Sequence, residues 1–180
     1  MKSRSFNHRA LDVTDFAAVS GRLQGGWPLS SMQRLADLFH AEAMVSPADA
    51  VAWQAEGEVR NLGGMGLQAC LRMRLSTQLA LTCQRCLASV EAPLVVDRRF
   101  YFVDGESLAE RLDADGEEDV LAMTHALDLH RLAEDELLLA LPIVPRHEQC
   151  FNPLLSGRTL EEETPQSPFS ALAALKRDTA

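Results

Sequence analysis

From Leu67 to Leu81 apolar side chains fall on one parity: Leu67, Ala69, Leu71, Met73, Leu75, Leu79 and Leu81. Gln68, Arg72, Arg74, Ser76, Gln78 and Thr82 occupy the other. On a helix this period of two would scatter the apolar residues around the axis, whereas on a strand it collects them on one face. After Cys83-Gln-Arg-Cys86 the alternation resumes with Val90, Ala92, Leu94, Val96, Phe100 and Phe102. Two such runs joined by a short turn predict an antiparallel pair, and any fold for this chain has to cover its one apolar face. The first run is long for a single strand, which predicts a bend or bulge near Ser76-Thr77. Pro93 predicts an edge position or a bulge in the second.

The flanking segments supply the cover. Val51, Trp53, Ala55 and Val59 alternate with Gln54, Glu56, Glu58 and Arg60, predicting a further strand that ends at Gly63-Gly64. Ser30 with Gln33 forms a capping box opening a helix that places Met32, Leu35, Ala36 and Phe39 on one side. Asp128 caps a second helix through Leu141, with Leu129, Leu132, Ala133, Glu136, Leu137 and Ala140 on one side and Pro142 ending it. Residues 1–20 show no sustained period, and Arg22-Leu-Gln-Gly25-Gly26 reads as a short strand running into a glycine turn. The fold class expected is α+β: one domain over residues 1–150, an antiparallel sheet with a CxxC hairpin and a few packed helices. Residues 151–180 follow as a linker and a short helix from Ser167-Pro168, with Phe169, Leu172 and Leu175 on one face.

Charge narrows the function classes. A formal net charge of −9 and a pI near 5.0 repel phosphate polymers, so nucleic-acid contact has to be local. Arg60, Arg72, Arg74, Arg85, Arg98 and Arg99 supply one local concentration of positive charge. Arg72 and Arg74 would either present a stripe to a partner or pair across strands with Glu56 and Glu58. Asp104 to Val120 carries Asp104, Glu106, Glu110, Asp113, Asp115, Glu117, Glu118 and Asp119 against Arg111 alone, and reads as a solvated loop. Its Asp113-Ala-Asp115-Gly116 is no calcium loop, because that register sets Arg111 and Ala122 at ligand positions. Four cysteines are too few for a secreted disulfide scaffold, the first residues lack a signal-peptide core, and the longest apolar stretch falls short of a membrane span. The expectation is a cytoplasmic protein without a membrane segment.

The cysteines carry the sharpest chemistry. Cys83 and Cys86 on a tight turn suit two corners of a tetrahedral zinc site, and His147 with Cys150 would supply the others. The alternative is packing: Cys83, on the apolar parity of its strand, and Cys150 are small semi-buried residues, and His147 is an exposed loop histidine. A third reading is a CxxC thiol-disulfide or metal-handling protein, but both flanks look like strands and supply no helix dipole to activate Cys83. Cys70 is read as structural. His125 and His130 have no nucleophile beside them, and no phosphate loop or serine elbow is present in the sequence, so an enzyme is not expected. Glu134-Asp135-Glu136 reads as a solvated acidic face, with Glu136 on the apolar side a candidate for pairing with a strand arginine.

Three motifs together resemble the YceD-type large ribosomal RNA subunit accumulation proteins: Leu81-Thr-Cys83-Gln-Arg-Cys86; Ala133-Glu-Asp-Glu136 running through Pro142-Ile-Val-Pro145 to His147; and Pro168-Phe169 through Leu172 and Leu175 to Arg177. The resemblance implies a non-enzymatic bacterial factor for synthesis, processing or stability of 23S rRNA. Its expected partner is large-subunit ribosomal RNA, a ribosomal protein or a pre-50S particle, and its cofactor is none or a structural zinc. The residues that match the motifs include Arg85, Glu134, Asp135 and Glu136, which join Arg72 and Arg74 as candidates for partner binding. Where many relatives carry several more cysteines after the second motif, this chain has His147 and Cys150.

Overall fold

A computed structural model of the chain describes residues 6–40 and 50–150. The expected linker and C-terminal helix of residues 151–180 lie outside the described residues. The compact unit Met1–Glu148 holds all the elements below. A single five-stranded sheet runs β1 (Arg22–Pro28), β2 (Ala50–Asn61), β3 (Leu67–Thr82), β4 (Ser89–Val103) and β5 (Asp119–Ala122), in that spatial order. β1 to β4 are antiparallel neighbours, and β5 joins β4 in parallel. The architecture is therefore α+β, as the sequence predicts.

The long alternation forms one 16-residue strand. Its register against β4 holds from Ala69↔Phe102 to Thr82↔Ser89 without a break, so the expected bulge at Ser76-Thr77 is absent. β2 pairs with β3 only as far as Ser76. Beyond that point Thr77–Thr82 and Ser89–Leu94 continue as a two-stranded ribbon, and residues 83–88 join its ends. No interruption is needed at Pro93, because β5 pairs only with Phe100–Val103 and leaves the outer side of β4 open there.

One face of the sheet is covered by α1 (Val13–Ala18), α2 (Gln33–Ala36) and α4 (Leu129–Leu139). Phe16, Leu35, Leu129, Ala133 and Leu137 from these helices close over Val51, Leu71, Met73, Leu75 and Phe102. Asp12 caps α1 by accepting the Asp15 N–H, a helix too short at six residues to display a period in the sequence. Gly57 of β2 lies under Phe16, where a Cβ would sit 2.7 Å from the ring. Gly25 and Gly26 do not turn, as β1 runs through them, and a Cβ on Gly25 would come within 3.1 Å of the Trp53 indole. Trp53 in turn stacks on Trp27 with centroids 4.4 Å apart.

Two further expectations are corrected. The acidic block is no open loop: it folds as α3 (Glu106–Asp115) and β5, and its few apolar residues build a second, smaller core. Ala109 and Val120 bury Cys70, Tyr101 and Val103 there, on the face opposite Leu71. Burial pushes the Cys70 thiol up to about 11, consistent with the structural role expected of it. The Ser30 capping box is also absent. α2 begins at Gln33, its N-cap Met32 makes no side-chain cap, and a carboxylate from α4 does that work instead.

Candidate metal centre

The ribbon holds Cys83 and Cys86 at its tip. Cys83 N–H donates to the Ala88 carbonyl and Leu87 N–H to the Cys83 carbonyl, each at 2.9 Å, closing a tight turn. Leu87 takes a left-handed φ of 63° to complete it. The chain leaving α4 then returns to the same turn. Gln84 N–H donates to the Pro145 carbonyl at 2.9 Å, and Arg85 Nη2 donates to the carbonyls of His147 at 3.0 Å and Glu148 at 3.3 Å. Backbone carbonyls thus dock residues 145–148 on the cysteine turn, and none of those contacts has a signature in the sequence.

The result is the predicted four-residue set. One ligand atom from each of Cys83, Cys86, His147 and Cys150 lies within 4.8 Å of all the others. Ligands about 2.0–2.3 Å from a tetrahedral zinc stand roughly 3.4–3.8 Å apart, so the spacing suits such an ion. Protonation states fit as well. His147 Nε2 is 2.9 Å from the Ser89 carbonyl, which can only accept, so Nε2 carries the proton. In the neutral ring this leaves the Nδ1 lone pair facing the sulfurs, 3.4 Å from Cys86 Sγ. Burial works against ionisation of Cys83, but backbone N–H donors from Arg85 and Cys86, with help from His147 and the Cys86 side chain, outweigh it and lower the thiol to about 5. The turn therefore activates Cys83 without the helix dipole that sequence reasoning required. Cys83 has no exposed surface, whereas Cys86, His147 and Cys150 are half-buried. A buried thiolate surrounded by N–H donors suits a metal better than it suits attack on an incoming disulfide. Three sulfurs and an imidazole nitrogen are compatible with a structural metal.

The other candidate residues fall into separate groups. Arg85 belongs to the centre. Arg74 lies nine residues from Cys83 along β3, roughly 30 Å away. Arg72 pairs with Asp97 through two bonds of 2.6 and 2.8 Å, and Arg74 reaches Glu56 at 3.3 Å and Asp97 at 3.5 Å. Cross-strand pairing with Glu56 therefore occurs for Arg74, and Asp97 is the partner that the alternation did not suggest for Arg72. Glu134, nearly buried, accepts the Arg34 and Leu35 backbone N–H groups at 2.9 and 3.4 Å and the Arg34 guanidinium at 2.9 Å. It caps α2 from outside the helix. Asp135 holds the same guanidinium at 2.6 Å. Glu136 approaches Arg98 at 3.7 Å, the strand-arginine partner expected for it, and burial raises its pKa. Arg34 was the residue missed: nothing in its local sequence marks it as the receptor of an acidic motif a hundred residues away. His130 is buried against Trp27 and 2.9 Å from Ser31 Oγ, a packing role. His125 pairs with the helix cap Asp12 at 2.7 Å.

The family model described as "Large ribosomal RNA subunit accumulation protein YceD" matches residues 71–176, more than half of the chain. No solved structure matches it.

Proposed function

The chain belongs to the YceD family, and from that membership we propose that it is an accessory factor for large-subunit ribosomal RNA accumulation, acting in the cytoplasm by binding rather than by catalysis. The family's description is the observation that carries this reading. Non-catalytic action is supported by the uses of the buried polar side chains: His130, Glu134 and Glu136 each serve a packing, capping or pairing contact. No helix among the described residues is long and apolar enough to cross a membrane.

The Cys83, Cys86, His147 and Cys150 centre is read as a structural zinc site, which ties the ribbon tip to the chain leaving α4. Zinc supplies the cross-link when bound, and the protein supplies a preset imidazole tautomer and N–H donors to the Cys83 sulfur. With a charge of −9, the direct partner is a basic ribosomal protein or an assembly intermediate rather than naked RNA.

Two measurements test the two halves separately. Depleting the protein should lower large-subunit RNA and perturb precursor particles in sucrose gradients, and unchanged profiles would overturn the functional reading. Elemental analysis should find about one zinc per chain, lost in Cys83→Ser together with a fall in melting temperature. A metal-free, fully folded wild-type protein would remove the zinc.

A further inference from the structure

The cysteine centre is sealed on one side and reachable on the other. Cys83 has no exposed surface, while Cys86, His147 and Cys150 are each half-buried, so solvent meets two of the three sulfurs. None of the described cysteines is in a disulfide. The centre also stands apart from the packed interior. Cys83 belongs to neither buried apolar cluster, and residues 83–88 lie beyond the last pair of the ribbon, Thr82↔Ser89. Chemistry at the tip can therefore change its ties without opening the sheet.

Two of the sulfurs are already placed as a pair. The Cys86 thiol hydrogen-bonds to the Cys83 sulfur. Both sit on one turn that closes on itself, through Cys83 N–H to the Ala88 carbonyl and Leu87 N–H to the Cys83 carbonyl. Neither bond involves the chain after α4, so the pair stays together when that chain leaves. Cys150 reaches the site from a distant part of the sequence, on a segment docked through the Pro145, His147 and Glu148 carbonyls. Cys70 is sealed in the second core and takes no part.

Resting on the zinc reading above, we propose that the centre is a reversible latch worked by hydrogen peroxide, in which oxidation joins Cys83 to Cys86 and undocks residues 145–148 from the ribbon tip. The Cys86 thiolate, the more exposed of the two, attacks one oxygen of the peroxide. The O–O bond breaks, the other oxygen takes up a proton and leaves as water, and a sulfenic acid remains on Cys86. The Cys83 thiolate then attacks the Cys86 sulfur, and a second proton carries the hydroxyl away as water. Two thiolates, one peroxide and two protons become one disulfide and two waters. A dithiol reductant returns the two electrons. Structural zinc takes four protein ligands, and the disulfide removes two of them, leaving His147 and Cys150 to release the ion. Residues 145–148 then keep only the Gln84 and Arg85 contacts. Pro142, Val144, Pro145 and Arg146 form one wall of a groove of about 320 Å³ along Val90–Leu94, so undocking opens that groove.

The test takes the full chain, measures its zinc, and adds hydrogen peroxide beside a colorimetric zinc chelator. About one zinc per chain should be released. Peptide mapping should find a Cys83–Cys86 bond and a mass lower by about 2 Da. Hydrogen exchange at residues 145–148 should quicken about tenfold or more while the centre of β3 stays protected. Dithiothreitol with added zinc should restore the starting state. A sulfinic acid on Cys86 in place of the disulfide, a disulfide to Cys150, or loss of protection throughout the sheet would each overturn the latch. Zinc held before treatment and kept after it removes the latch alone. A chain that holds no zinc at the outset removes the zinc reading and the latch with it.

Discussion

At the scale of residues, Glu134 shows how one carboxylate is held by partners that its own helix does not supply. Burial raises its pKa, but hydrogen bonds from the Arg34 side chain and from the Leu35 and Arg34 backbones dominate and hold it below its ordinary value of 4.5. Ionised Glu134 therefore favours the fold above that value, and the contribution disappears as pH falls through the lower, folded value. Asp97, lowered chiefly by its bonds to Arg72, acts in the same direction with less force because it is exposed. Glu136 acts oppositely: raised by burial, it favours the fold while protonated and loses that as pH rises through its folded value. Glu134→Ala should cost about 2 kcal/mol, because it leaves the first turn of α2 uncapped and Arg34 half-paired. For a chain of this size the melting temperature should drop by roughly 4–8 °C. Asp135→Ala, removing an exposed pair, should cost under about 1 kcal/mol. Thermal melts between pH 7 and 3 check the assignment, since Glu134→Ala should flatten the acid branch of the wild-type curve, and an unchanged branch would place its source elsewhere.

At the scale of elements, β2 and the ribbon make opposite demands. Gly57 must stay bare because both the ring and the backbone of Phe16 occupy its Cβ position, the backbone carbonyl at 2.7 Å. Neither can yield without moving α1, so Gly57→Val should destabilise by more than about 2 kcal/mol in chemical denaturation. A variant as stable as wild type would mean that α1 does not pack there. The ribbon tip has no such cover from a helix. It is held by the Gln84–Pro145 bond, the Arg85 contacts and the cysteine cluster. A strong chelator should therefore speed amide hydrogen exchange at residues 83–89 and 145–148 while leaving β2 and the centre of β3 protected. Uniform protection with and without chelator would show that the hydrogen bonds alone suffice.

At the scale of the whole molecule, net charge and its arrangement govern what can be bound. Four arginines of the sheet face stand near acids, Arg22 by Glu56, Arg72 and Arg74 by Asp97 and Arg60 by Glu58, while Arg99 lies across from Arg72 with no acid beside it among the described residues. Little of the positive stripe remains to attract phosphate, and the −9 surroundings repel it. Gel-shift titration with free large-subunit RNA should show no complex at about 0.15 M salt, while the protein cosediments with precursor particles. Tight binding to the free RNA would reverse the choice of partner.

Period-two alternation determined β2, β3 and β4 and their buried face, because that face must leave water wherever the strands pair. Sulfur and imidazole spacing determined the membership of the centre, because few residue types can serve there. The Asp128 cap and the spacing behind it determined α4 in the same way, and Arg22 to Gly26 marked β1; tertiary structure decided the rest. α1 is too short to display a period, and the helix read from the spacing of Met32 to Phe39 forms only as the four residues of α2. The acidic block's helix and strand depend on the Tyr101 and Cys70 surface that receives Ala109 and Val120. Glu134's role was invisible until a distant helix presented its N–H groups. The His147 tautomer and the lowered thiol of Cys83 likewise come from the Ser89 carbonyl and from turn N–H groups. Every residue carries these backbone groups, so only their arrangement in space distinguishes one from another.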